Sequence, residues 1–256
     1  MKTPSKRLDH LVILLDRLVR TSEIADYPGA MNGLQIENQG GITRIVAAVD
    51  ACEAVLLEAS KQPGTLLIVH HGLFWSGAQP ITGSFYRKLK AALDGDLALY
   101  SSHLPLDLHP SLGNNVLLAK ALALSDIKPA LEIKGQSIGV MGKVKPMKRE
   151  KFIALLRECI GEPIHLAPGG PEMIRSVLVV TGGAGGEVAQ AAGLKADAFV
   201  TGEGPHWSYT AAEELGINLF YGGHYATEVF GVKALASHLS EKTGLPWSFL
   251  DHPSGL

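Results

Sequence analysis

Ten histidines stand against two cysteines in this 256-residue chain, and their placement says more than their number. His70 and His71 are adjacent at the end of the apolar run Leu66-Leu67-Ile68-Val69. Neighbouring imidazoles aimed slightly apart can each serve one ion of a pair about 3.5–4 Å apart. Successive side chains on a regular strand point to opposite faces, so both rings reach one site only where the chain leaves the pleat. Gly72 is expected to permit that departure. Taken alone, the dipeptide reads as no more than a polar strand end.

A second pair is His224 and Glu228. A helix is expected over Tyr225–Leu239, with Val229, Val232, Leu235, Ala236 and Leu239 as its apolar face. Spacing i, i+4 puts His224 and Glu228 one turn apart on one side, and Gly222-Gly223 allows close backbone approach at the entry. Standing alone, the pair reads as a first-turn glutamate favoured by the helix dipole, with a capping histidine. The third cluster, His103 to Asn115, lies between a strand and a helix. Pro105 is expected to prevent regular helix there, so His103 and Asp107 need not share a face. His109 and the pair Asn114-Asn115 read as loop and N-cap chemistry. Together His70, His71, Asp107, His224 and Glu228 offer three nitrogen and two carboxylate ligands, all near strand ends. That mixture suits Zn, Fe, Mn, Co or Ni rather than Ca or Mg. With few protein ligands per ion, a two-ion site keeps positions for water and substrate, the mark of a catalytic site.

The elements that must position these residues come in alternation. Residues 6–20 carry a helical leucine stripe; 43–50 read as a buried strand, 51–61 as a helix and 66–69 as a second buried strand. A helix near 84–93, a strand at 97–101 and a helix at 114–124 follow. Strands alternating with helices, without clean period-2 patterning, predict an α/β fold with parallel or mixed sheet. Residues 132–144 alternate like an antiparallel hairpin strand, and a helix is expected at 149–158. The second half then replays the first: Arg44–Asp50, helix, Leu66–Gly72 lies over Arg175–Thr181, helix, Ala198–Gly204, and Leu99–His103 matches Phe220–His224. The expected architecture is therefore two similar lobes from an internal duplication, with mixed sheets, flanking helices and a metal site in the cleft between them. Lobe 1 is placed at about 1–125, lobe 2 at about 175–256, with a joining segment at about 126–174. Ligands of such sheets bind outside the carboxyl ends of the strands.

Composition narrows the function classes. Hydrophobic residues at 46% and charged residues at 19% exclude a disordered chain. A formal charge of −2 gives no broad basic field for nucleic acid or anionic membrane, and 6% aromatics is lean for a nucleic-acid stacking platform. Lys143, Lys145, Lys148, Arg149 and Lys151 read as a solvated joint. Cys52 and Cys159 form no disulfide framework and no CxxC knuckle, which fits a reducing cytosol. Asp16 and Arg17 cut the run Leu11–Leu15 short of a signal or spanning segment, so the chain reads as soluble and cytoplasmic. The turn Thr181–Gly186 meets a dinucleotide-type glycine pattern only in part, Val188 taking the third position, and reads as a flexible turn before an anion site.

Five motifs carry a resemblance along nearly the whole chain. Asn32-Gly33-Leu34-Gln35, His70-His71-Gly72-Leu73-Phe74-Trp75, the run Ser102–Pro110 with Gly113-Asn114-Asn115, Thr201-Gly202-Glu203 and Gly223-His224-Tyr225-Ala226-Thr227-Glu228 resemble the GTP cyclohydrolase 1 type 2 family, the NIF-three-like dinuclear metal-centre proteins. The resemblance implies one family unit over 1–256, two divalent ions per subunit, and subunits assembled into a ring-shaped homohexamer. By motif position it makes His70, His71, Asp107, His224 and Glu228 the ligands, with no departure at any of the five. His103, Glu203 and His206 fall near the same strand ends; His103 and Glu203 are the expected proton carriers. The implied activity is metal-dependent hydrolysis of a small molecule, with water attacking C8 of a guanine nucleotide and formate leaving. A metal-dependent phosphoesterase and a non-catalytic metal-binding ring are the alternatives.

Overall fold

Strands that are apolar at every position have no face to give to water and must lie inside a sheet covered on both sides. In the computed structural model, which describes residues 5–161 and 163–256, the two such runs of the first half are central strands. The chain passes through β1 (Lys6–Arg7), α1 (Leu8–Val19), β2 (Gly33–Ile36), β3 (Gly41–Ile42), β4 (Arg44–Asp50) and α2 (Glu53–Ala59). Next come β5 (Thr65–His71), α3 (Gly83–Asp94), β6 (Ala98–Ser101), the single turn α4 (Leu104–Asp107) and α5 (Asn114–Ala121). Then follow β7 (Ser125–Ile133), β8 (Gln136–Lys148), α6 (Arg149–Ile160), β9 (His165–Pro168), β10 (Met173–Val179) and α7 (Val188–Gly193). The chain closes with β11 (Ala198–Thr201), α8 (Trp207–Leu215), β12 (Asn218–Tyr221), α9 (His224–Thr243) and β13 (Trp247–Phe249).

These elements form two compact units, Met1–Leu106 with Gly231–His252, and Asp107–Phe230 with Pro253–Leu256. The first holds a five-stranded sheet in the order β13-β4-β5-β6-β2. Its strands β13, β4, β5 and β6 are parallel, and β2 runs antiparallel at the edge. On one face Val46, Ala48, Leu67, Val69 and Leu99 pack with Val55, Leu56 and Ala59 of α2 and Ala92 of α3. Leu8, Leu11, Leu15 and Val19 of α1 are buried in a stripe at helical spacing.

The second unit holds a six-stranded sheet, β7-β8-β10-β11-β12-β9. Here too three parallel strands, β10, β11 and β12, are bordered by an antiparallel one, β9. Val177, Val179, Val200 and Phe220 pack with α5 and α6 on one face, Phe152 meeting Phe220 at 5.1 Å. Leu178, Phe199 and Leu219 pack with α7 and α8 on the other. The repeated order of three parallel strands with helical crossovers and an antiparallel neighbour is the duplication seen in the sequence. The fold is mixed α/β, as expected.

Residues 126–174 hold the hairpin strand and the helix expected there: β7 and β8 make a hairpin through Lys134 and Gly135, both at positive φ, and β8 pairs along β10. The basic run from Lys143 is thus the exposed end of a strand entering α6, and Lys143 pairs with Asp126 and Arg149 with Glu172. One expectation changes: Leu104–Asp107 forms one helical turn despite Pro105, because proline is tolerated in a first turn, whose amides have no intrahelical acceptor. Among the described residues no helix is long and apolar enough to cross a membrane.

Candidate metal centre

In the first unit, β5 carries His70 and His71 to its end. The strand runs through both histidines, His71 still opposite Asp50 of β4. The rings nevertheless lie 4.8 Å apart, inclined by 50°. Convergence therefore begins at the last strand residue, not at Gly72. Gly72 has another role: a Cβ there would collide with the side-chain amide of Gln35. His103, just past β6, completes the group, its ring 4.9 Å from His70 and 5.7 Å from His71. The three each offer a ring nitrogen, all within 4.8 Å of one another.

The other nitrogen of each ring is already committed. His70 Nδ1 donates to the carbonyl of Ser102 at 2.9 Å, His71 Nδ1 to Asp50 Oδ1 at 2.8 Å, and His103 Nδ1 to Asp26 Oδ1 at 2.9 Å. A carbonyl or carboxylate can only accept, so each contact puts the proton on Nδ1 and the lone pair on Nε2. This is how metal-binding histidines are oriented. Asp26 is held in turn by Asn32 Nδ2 at 2.8 Å and the Leu104 amide at 2.9 Å. Burial alone would raise the Asp26 carboxyl, but the hydrogen bond and charge of His103, with Asn32, bring it below the usual carboxylate range.

The second unit supplies carboxylates. Asp107 ends α4 and Glu228 stands one turn into α9; both are buried and their oxygens lie within 4.8 Å of one another. Asn114 Nδ2 donates to Asp107 Oδ1 at 2.8 Å, while Asn115 Nδ2 donates to the Asp107 carbonyl and its Oδ1 accepts from the Thr181 amide. The two asparagines are thus buried orienting groups rather than the caps expected; the N-cap of α5 is Gly113. His109 does act as a loop cap, its Nδ1 accepting from the Leu112 amide at 3.0 Å.

His224 likewise has Nδ1 committed to an acceptor. Its Nδ1 faces Glu203 Oε1 at 2.8 Å and its Nε2 lies 3.2 Å from Glu228 Oε2. Burial works against its charged form, yet Glu228 and then Glu203 hold the imidazole up to about 9. Glycines make the approach possible. A Cβ on Gly202 would sit 2.6 Å from His224 Cα, and one on Gly182, at φ +71°, would run into Glu228 Oε1. The glycine turn is therefore packing, not an anion cradle: the amides of Gly182, Ala184 and Gly185 already donate to Thr227, Thr201 and Glu203.

The donor set fits a metal. Oriented Nε2 atoms with buried carboxylates match Zn, Fe, Mn, Co or Ni. Asp107 and Glu228 repel unless protonated or bridged by positive charge, and His224 brings one such charge before any ion does. Of the sequence-derived candidates, His70, His71 and His103 gather in one unit, and Asp107, Glu203, His224 and Glu228 lie in the other. His206 is exposed at the start of α8, and among the described residues no hydrogen bond or ion pair joins it to Glu203 or His224. Sequence reasoning missed Asp26 and Asp50 as orienting groups. Asp50, at the end of the strand beside β5, was within reach of the same strand-end logic; Asp26 lies in a loop with no periodic signal.

Known proteins are similar to this chain over nearly its whole length. The model of the Duf34/NIF3 (NGG1p interacting factor 3) family matches residues 7–253. A Deinococcus radiodurans protein named GTP cyclohydrolase 1 type 2 homolog is 40% identical over 250 residues, covering 97% of this chain and 94% of its own length. A Pyrococcus abyssi protein of the same name is 40% identical over 251 residues, covering 97% and 99%. A solved Thermus thermophilus protein superposes with a TM-score of 0.89 at 39% identity, over 98% of this chain and all of its own. The chain belongs to the Duf34/NIF3 (NGG1p interacting factor 3) family.

Proposed function

We propose that this protein is a metal-dependent hydrolase in which His70, His71, Asp107, His224 and Glu228 together hold two divalent ions. One observation carries the reading: four histidines, His70, His71, His103 and His224, each present Nδ1 to a carbonyl or carboxylate. With Nδ1 so engaged, Nε2 is the atom each ring can offer to an ion, the arrangement that metal ligation needs, and polar strand ends have no reason to share it. When bound, a pair of divalent ions would supply a water acidified toward neutral pH and charge stabilisation at the attacked centre.

The chain's own residues do the rest. Asp50 and the Ser102 carbonyl hold His71 and His70 in the ligating tautomer. Glu203 does the same for His224, which makes it an orienting group before a proton carrier. His103, fixed by Asp26, keeps Nε2 toward the imidazole cluster and is the group we assign to move a proton during hydrolysis. The substrate we propose is a guanine nucleotide, opened at the imidazole ring with loss of formate, a reading supported by the names of the relatives. The protein is proposed to act in the cytosol as a homohexameric ring, a state that native mass spectrometry tests.

Incubation of metal-loaded protein with GTP decides the chemistry. Formate release, abolished in Glu228→Ala and His70→Ala, is the expected result. Turnover of phosphate esters with the guanine ring intact would replace cyclohydrolase by phosphoesterase. No turnover of either, with both variants losing only stability or assembly, would make the metals structural.

A further inference from the structure

Two large aromatic side chains stand in the open beside the histidine cluster of the first unit. Tyr27 is 66% exposed and Trp75 39%. Single exposed aromatics need no explanation, but these two share a neighbour: the Tyr27 ring lies 6.2 Å from His103, and the Trp75 ring 4.9 Å from it and 6.0 Å from His71. Their positions are built. Trp75 occupies a turn closed by the Gly77 amide on the Phe74 carbonyl, and Phe74 anchors that turn in the core against Phe85. Gly29 brings the Tyr27–Ala30 segment onto the Trp75 backbone, where a Cβ would sit 2.7 Å from the Trp75 carbonyl oxygen.

Gln35 ties the two segments together. Its Nε2 donates to the carbonyls of Ala30 and Met31, and its Oε1 accepts from the Leu73 amide at 2.8 Å. Asn32, from the same motif, receives the His103 amide at 2.7 Å. Asn32-Gly33-Leu34-Gln35 thus has a role that metal binding does not explain: it frames the aromatic rim.

We propose that Trp75 and Tyr27 form a stacking subsite for a planar heterocycle, of the nucleobase class, held beside His103. Neither 27–35 nor 72–82 contains a lysine, arginine, aspartate or glutamate, so these segments offer a flat π surface and no charge for a phosphate. An aromatic face recognises a planar ring whatever its substituents, because every base presents a π face. The low aromatic content of the chain is no obstacle, since one ring needs only one or two partners. The subsite rests on the proposed hydrolase only in placing the heterocycle near the reacting centre; the stacking itself needs no ion.

Equilibrium binding of GMP, AMP, UMP and ribose 5-phosphate to the full-length protein, metal-loaded and metal-stripped, tests it. The wild type should prefer each nucleotide to ribose 5-phosphate in both states. Trp75→Ala should weaken nucleotide binding by about 10- to 100-fold, the range of one base–aromatic stack. Metal content and ribose 5-phosphate binding should be unchanged, and Trp75→Phe should stay within a few-fold of wild type. No preference for the nucleotides, equal loss for ribose 5-phosphate, or a Trp75→Ala variant whose only change is oligomeric mass would overturn the subsite. A wild type that takes up no metal on loading yet keeps the Trp75-dependent preference would retain the subsite and discard the metal centre.

Discussion

The two units share a strand order and divide the chemistry. The first gathers imidazoles, His70, His71 and His103, with the carboxylates of Asp26 and Asp50 standing behind His103 and His71. In the second, charge is in front: buried Asp107 and Glu228 lie within 4.8 Å, and only His224 is an imidazole. The difference lies in how each side chain is delivered. The first unit brings His70 and His71 off the end of β5. The second places Asp107 at the end of the single turn α4 and Glu228 one turn into α9, beside His224. It then needs glycines at 182 and 202 to let backbone come close to Glu228 and His224. The first unit thus offers nitrogen donors and the second mainly oxygen donors, each of a kind that divalent transition metals accept.

The comparison can be broken most severely at the ligands. His70→Ala and Glu228→Ala should each lower metal affinity by more than about 100-fold, beyond the roughly 10–100-fold that outer groups contribute; competition with a chromogenic chelator reads this. The glycines come next. Gly182→Ala and Gly202→Ala should destabilise the protein by about 1–3 kcal/mol through overpacking, while Gly186→Ala, whose Cβ would meet nothing nearer than 3.9 Å, should be silent. Denaturant unfolding of the three variants separates them.

The orienting carboxylates sharpen the contrast. Glu203→Gln, which loosens the ligand His224, should lower metal affinity by about 10-fold at most. Asp26→Asn, which acts on His103, should lower turnover of the loaded protein and leave metal affinity unchanged. The smallest effect is with pH. His224 of the metal-free protein is raised from 6.5 to about 9, so its charged form stabilises the fold fully below pH 6.5 and that contribution fades as pH rises through 9. Metal must displace this proton, so affinity should climb with pH up to about 9. Calorimetry in buffers of different ionisation enthalpy should register the proton released on metal uptake at pH 7.5.

Much of this was legible in the sequence because burial and periodicity write it there. The middles of β4 (Ile45–Val49) and β5 (Leu66–Val69) are apolar at every position, and a central parallel strand must be. His224 and Glu228 declared themselves by helical spacing, and the duplicated strand ends singled out the residues to watch. What stayed hidden depends on contacts between distant residues. Asp26 meets His103 across 77 positions from an irregular loop, and no local pattern announces such a partner. The glycines of 181–186 resembled a phosphate turn because loop geometry and close packing ask for the same residue. The basic run from Lys143 read as a joint because the lysine-bearing end of a hairpin strand looks solvated from sequence alone.

The central claim is that the two halves serve a pair of ions. Metal content per chain, measured by mass spectrometry after loading with zinc and removal of excess, tests it most directly. The account predicts two ions per chain in the wild type, and fewer in both His70→Ala and Glu228→Ala. A folded wild type that takes up none, or variants that keep both, would contradict it.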